Sequence, residues 1–248
     1  MKRQLLVLIN CLCFLISCGT ADESNKATKD AKANPGDTVA FVHGIDISKF
    51  QGDEVDYLNK NTDSLSFVIC KATEGVSIID VDFKRNWEMI AKKGFVRGAY
   101  HFYHCGDPPQ EQAEHFFNTV GTFSDNDIPP IIDFEDAGIE PGIDIEKIQS
   151  DLFGFLNIIQ QKTGKVPLIY TNIDVGNKYL SDPKFALYPL WIAYYEDSHL
   201  PSLPGAWKGK KWKFWQKSQS YRVGSTKDDY DVFNGSLEAL KNAAVPHE

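Results

Sequence analysis

The stretch IPPIIDFEDAG, residues 128–138, sets the problem. Two prolines lead into a short β-branched run, and three acids, Asp133, Glu135 and Asp136, follow within four positions. Carboxylates at the end of an apolar strand are costly to bury unless something uses them. Residues two apart on a strand share a face. Asp133 and Glu135 therefore point the same way, with carboxyl groups roughly 5–8 Å apart on a pleated strand.

Outward from this stretch the chain alternates. Strand-like apolar runs stand at 41–48, 66–72, 96–103, 129–135, 167–172, 189–195, 213–218 and 230–233. Helical periodicity fills 81–94, which closes on Gly94, and 108–121, which starts with prolines and closes on Gly121. It also fills 144–164, with Asp144 as cap and Gly164 at the end. Shorter helices are predicted at 53–60 and 174–180. Strand–helix alternation over such a length specifies a parallel sheet, and eight strands suggest a closed barrel. After residue 172 the spacing shortens and helical patterning fades, so the barrel is expected to be helix-covered on one side only. The predicted class is α/β: a single TIM-like barrel of eight strands with helices over one side. An open doubly wound sheet is the alternative, but no glycine-rich phosphate loop recommends it.

The N-terminus reads differently. Residues 1–17 have a basic start at Lys2 and Arg3 and then an apolar run, the form of an export signal, too short and wrongly flanked for a spanning helix. Leu15-Ile16-Ser17-Cys18 resembles a bacterial lipobox, which makes Cys18 the candidate lipidated first residue. Residues 18–38 are small, polar and without apolar period, a disordered tether. Residues 39–248 form the folded domain. Loss of the leader removes Lys2 and Arg3 and takes the formal charge from −8 to −10. So acidic a chain is a poor partner for nucleic acid, and its membrane contact would run through the lipid on Cys18. The expected location is the bacterial cell envelope, and the expected state a monomer. Of the five cysteines, Cys11 and Cys13 lie in the leader. Cys70 falls in mid-strand and Cys105 past a strand end, which favours two free thiols over a disulfide. No Cys/His spacing suggests a zinc site.

In a β/α barrel the site forms at the carboxyl ends of the strands. Those ends carry Asp46, Tyr100, the Asp133/Glu135 pair, Tyr170, Trp191 and Gln216, with Asp229 and Asp231 at the last strand. Two carboxyls so close do not both ionise freely, so one pKa rises. The raised one serves as general acid while its partner stays anionic, the division of labour that cleaves a glycosidic bond. Alone, a D-x-E pair also caps helices or bridges to lysine; Asp46 and Asp229 on neighbouring strands favour the catalytic use. His101 alternates to the outer face and is expected to pack behind the barrel; His43 is read as structural. Lys71 and Glu74 are read as a supporting ion pair.

The motifs GIDISKFQG, KATEG, RGAYHFY, PPIIDFED, LIYTN, LWIAYY, FWQKS and VFNGS, in order from about residue 41 to 241, resemble glycoside hydrolase family 25, the Chalaropsis-type lysozymes or N-acetylmuramidases. The resemblance implies a barrel of five β/α units and three further strands, and a peptidoglycan substrate with no cofactor or metal. It implies Glu135 as proton donor, Asp133 as second carboxylate, and Asp46 and Asp229 as further catalytic acids. Alignment on Val232-Phe233-Asn234-Gly235 puts Asp231 where the family usually has Asn, which leaves Asp229 or Asp231 as the late acid. Tyr100, Tyr170, Trp191 and Gln216 gain a use as sugar-binding residues, with Asp231 beside them. Two other functions stand as alternatives: a peptidoglycan-binding barrel without activity, and a glycosidase of another N-acetylated glycan.

Overall fold

The computed structural model describes residues 41–59, 64–195, 199–223 and 226–242. Cys18, the leader and the tether lie outside them. Eight strands close a barrel: β1 (Phe41–Ile47), β2 (Phe67–Glu74), β4 (Val96–Phe102), β5 (Ile131–Asp133), β6 (Leu168–Asn172), β7 (Leu190–Ala193), β8 (Phe214–Val223) and β9 (Thr226–Asn234). β3 (Ile78–Ile79) is a two-residue addition that folds back on β2. The order β1-β9-β8-β7-β6-β5-β4-β2 is closed by a β1–β2 pairing.

The sheet is not wholly parallel, as the alternation predicted. Seven strands run together, but β9 runs against both its neighbours, β8 and β1. The reason is connectivity. β8 turns directly into β9 as a hairpin, and only a crossover segment makes a parallel return. The hairpin is also longer than the apolar pattern suggested, because its outer part (Ser218, Gln219, Ser220, Arg222, Lys227) is polar and largely exposed.

Helices α1 (Phe83–Lys92), α2 (Pro109–Val120), α3 (Ile145–Thr163) and α4 (Ile173–Tyr179) follow β3, β4, β5 and β6. In the first unit the connection contains a 3-10 turn at Glu54–Asp56 instead of an α-helix, and part of the predicted 53–60 segment lies outside the described residues. The longest helix shows why these segments coil. Asp144 accepts from the backbone N–H groups of Glu146 and Lys147, answering donors that a helix start leaves free. Gly164 ends it at φ 69°, a left-handed cap that glycine adopts without steric cost. Its buried stripe, Ile148, Leu152, Phe155, Leu156 and Ile159, has the 3.6-residue period and packs on the outer face of the barrel. There His101, fully buried, bonds Thr73 and Gln112 and stacks on Phe155; burial holds its pKa down to about 3. The free thiols of Cys70 and Cys105 are buried as well.

The lumen is filled from below by Val42, Phe67, Leu168, Phe214 and Phe233, with Phe67 edge-on to Phe214 at 5.3 Å. This packing needs Gly44, since a Cβ there would fall 2.3 Å from the Phe67 ring. A last helix, α5 (Leu237–Lys241), starts on a Ser236 cap and seals the bottom with buried Leu240. At five residues it is too short to show a helical period in the sequence.

Candidate active site

With the lower lumen packed, the same strand face continues upward as a polar rim. Asp46, Lys71, Tyr100, Asp133, Glu135, Tyr170, Trp191, Gln216 and Asp229 line an open cleft of about 280 Å³. β5 ends at Asp133, but Glu135 keeps an extended backbone (φ −131°, ψ 164°). The two carboxyls therefore share the cleft, while Phe134 between them is buried behind the barrel against Tyr103 and Tyr179. The spacing of IIDFED does what alternation requires of it.

The reversal of β9 sets which of Asp229 and Asp231 reaches the rim. Its early residues reach the rim, and Asp229 stands opposite Asp46 in register. Asp231 is two residues deeper, between Gly44 and Gln216. Expected beside the substrate, Asp231 instead lies beneath the cleft floor at 0% exposure. There its Oδ1 accepts from Trp191 Nε1 at 2.9 Å.

One hydrogen-bonded chain ties the rim together. Gln216 Nε2 donates to Asp46 Oδ2 at 2.7 Å. Gln216 Oε1 accepts from the Tyr170 hydroxyl at 2.8 Å and from the Tyr195 hydroxyl at 2.6 Å. The Tyr195 hydroxyl in turn accepts from Gln219. Lys71 bonds Glu74 at 2.7 Å, and Glu74 also meets His104 at 3.1 Å. Lys71 is thus the cation of the described lining, and it is already engaged.

Desolvation disfavours charge, and it raises every carboxyl here. Asp133 rises well above the ordinary range, through burial and then the charge of Glu135. Glu135 rises through burial, opposed by the neighbouring Tyr170 hydroxyl and by Lys71, with Asp136 adding to the rise. Asp46 rises well above its usual value through burial and then Asp229. Asp229 is pushed to about 6 by burial and then by Asp228 and Glu135. The spacing argument left open which of the two pKa values rises, and the family resemblance made Glu135 the proton donor. Of the two, the larger rise falls on Asp133, which sits wholly at the floor with Oδ1 bare of any partner among the described residues.

Sequence reasoning missed several lining or bridging residues, among them Tyr195, Gln219 and Phe50. Tyr195 shares the parity of Trp191 and Ala193, so continuing the strand face by one step finds it. Gln219 lies past one register shift of the β8–β9 ladder and inside a second, where parity fails. Phe50, 80% exposed at the cleft mouth, comes from a 3-10 turn with no strand face to read.

Sugar-cleaving barrels gather carboxyl pairs of unequal protonation at the carboxyl-terminal rim, and this architecture places the protein among the barrel glycoside hydrolases. Comparison with known proteins gives the family: the chain belongs to the glycosyl hydrolases of family 25, whose family model matches residues 45–226. That span stops short of Asp229, so the position of the late acid rests on geometry. The chain is 32% identical to the Escherichia coli (strain K12) protein YegX over 207 residues, 81% of this chain and 72% of that one. It is 30% identical to the N,O-diacetylmuramidase of Chalaropsis sp over 218 residues, 82% of this chain and 99% of that one. The crystal structure of the bacterial lysozyme from Streptomyces coelicolor superposes with a TM-score of 0.75 at 30% identity, over 84% of this chain and 100% of that one.

Proposed function

We propose that the protein is a peptidoglycan muramidase, hydrolysing the β-1,4 bond between N-acetylmuramic acid and N-acetylglucosamine. The observation that supports this best is the Asp133/Glu135 pair facing one open cleft, in a family whose members include an N,O-diacetylmuramidase and lysozymes. Glu135 is the proton donor. As the bond to the anomeric carbon breaks, its proton passes to the departing glycosidic oxygen, and water later adds its oxygen to the carbon while its proton returns to Glu135. Titration of so close a pair belongs to both groups together. Among the protein's own groups the proton favours Asp133. Positive charge growing at the anomeric carbon favours the reverse arrangement, with Asp133 ionised and the proton on Glu135. The bare Asp133 Oδ1 is then an acceptor for that charge, or for the N–H of a substrate acetamido group that itself attacks. Asp46 and Asp229 extend the anionic wall, and Tyr100, Tyr170, Trp191 and Gln216 offer ring faces and hydrogen bonds to the sugars.

Reducing-end analysis of a peptidoglycan digest tests the reading. A muramidase leaves muramic acid at every new reducing end; glucosamine ends, or no new ends, would refute it. The location is proposed with it: export and anchoring of a monomer to the cell envelope through a lipid on Cys18, with residues 19–38 as tether. Cys18→Ser is expected to move the protein from the membrane fraction to the soluble one, read by fractionation and immunoblotting; unchanged partition would sink the anchor.

A further inference from the structure

Beneath the cleft floor two acids meet with no cation between them. Asp231 on β9 and Asp46 on β1 are buried and are diagonal neighbours on one face of the β1–β9 ladder, Asp231 opposite Gly44 and Asp46 two residues further along, which brings their carboxyl groups within reach of a shared hydrogen bond. A hydrogen bond between two carboxyl groups requires one proton, since an ionised carboxylate only accepts.

The partners of each acid say where that proton sits. Asp46 Oδ2 takes the Gln216 amide, and Asp46 opens into the cleft. Asp231 takes the Trp191 indole on Oδ1, and its Oδ2 receives no hydrogen bond from any described donor. Ionised, Asp231 would be a buried charge with a bare oxygen beside a second anion, an arrangement that desolvation and like-charge repulsion both disfavour. Protonated, it is a donor whose acceptor is in place. The groups facing the pair agree. Asp229 on β9 and Glu135 after β5 are acidic, and both oppose a second negative charge. Tyr100 on β4 and Tyr170 on β6 are phenols held protonated by burial. Trp191 on β7 and Gln216 on β8 are neutral, and Lys71 on β2 is committed to Glu74.

We propose that Asp231 is a positioning residue that works as a buried carboxylic acid: its O–H donates to Asp46 and, with Gln216, holds Asp46 as an oriented anion at the cleft floor. Asp231 touches no substrate. It acts through Asp46, and its indole contact fixes which way its own carboxyl group turns.

The activity readout rests on the muramidase reading; a second readout does not. Asp231→Leu keeps the bulk and removes the donor, and is expected to lower kcat on cell-wall substrate at least tenfold with a smaller change in KM. Asp231→Asn restores an N–H donor toward Asp46 and is expected to recover most of that loss. An Asn variant as poor as the Leu variant would mean that Asp231 acts as a charge; a Leu variant matching the parent would mean that it only packs. The second readout is the side-chain carboxyl carbon resonance of Asp231 in the unmodified protein, assigned with Asp231→Asn, which reports the protonation of Asp231 itself. It is expected to stay in place between pH 4 and pH 6.5. A titration step within that window, as for an ordinary aspartate, would overturn the proposal whether or not the protein cuts peptidoglycan, and whether or not Asp231→Leu folds.

Discussion

Glu135→Gln is expected to lower kcat on peptidoglycan by about 10²–10⁴-fold, the usual worth of general acid catalysis, while binding of glycan fragments survives. The amide keeps the shape of the side chain and its contact with Tyr170, but it has no proton to deliver to the departing oxygen. The loss should appear in kcat, because the proton moves only in the transition state. Turbidity clearance of purified sacculi gives the rate, and fragment titration gives the affinity. A variant within tenfold of the parent would mean that IIDFED serves the barrel and not the chemistry.

Asp133→Asn should separate activity from stability. The rate falls, because the Asp133 carboxylate no longer faces positive charge at the anomeric carbon. Stability moves the other way, with a sign set by the raised pKa of Asp133. An acid that titrates higher in the folded state binds its proton more tightly there than in the unfolded chain. Its favourable contribution is complete below the unfolded value of about 3.9 and is lost as pH rises toward the folded value. The parent therefore gives up stability between acid and neutral pH, and the neutral amide does not. Asp133→Asn is expected to melt about 3 °C or more above the parent at pH 8, ~1 kcal/mol for a domain of this size, with the gap closing near pH 4. Thermal scans at the two pH values decide it: an equal or lower Tm at pH 8 would show that Asp133 is stabilised as an anion in the folded protein.

Both predictions concern residues that strand alternation alone brought together. Asp133 and Glu135 were legible as a pair because the backbone stays extended past the end of β5. The barrel was legible for a similar reason: strands and helices each bury one face, and their periods of 2 and 3.6 survive in the order of apolar residues. Tyr100, Tyr170, Trp191 and Gln216 all proved to line the cleft. The outer hairpin hid because residues such as Gln219 and Arg222 are wet and leave no apolar period. The 3-10 turn that presents Phe50 hid because three residues make no period at all.

What the sequence determined by itself is therefore whatever depends on local period: the strands, the long helices, the outward turn of His101, the inward turn of the acid pair, and the family motifs those elements carry. The tertiary structure decided the rest. The direction of β9 is set by a hairpin between polar segments, and that direction alone puts Asp229 at the rim and Asp231 beneath it. Two-residue spacing says that these acids share a face but not which of them is higher. The order of protonation is also tertiary. Asp133 and Glu135 differ little in intrinsic acidity. The depth of each in the cleft, the bare oxygen of Asp133, and the Tyr170 and Lys71 contacts of Glu135 separate them. Desolvation is a property of the closed barrel, and no stretch of eleven residues contains it.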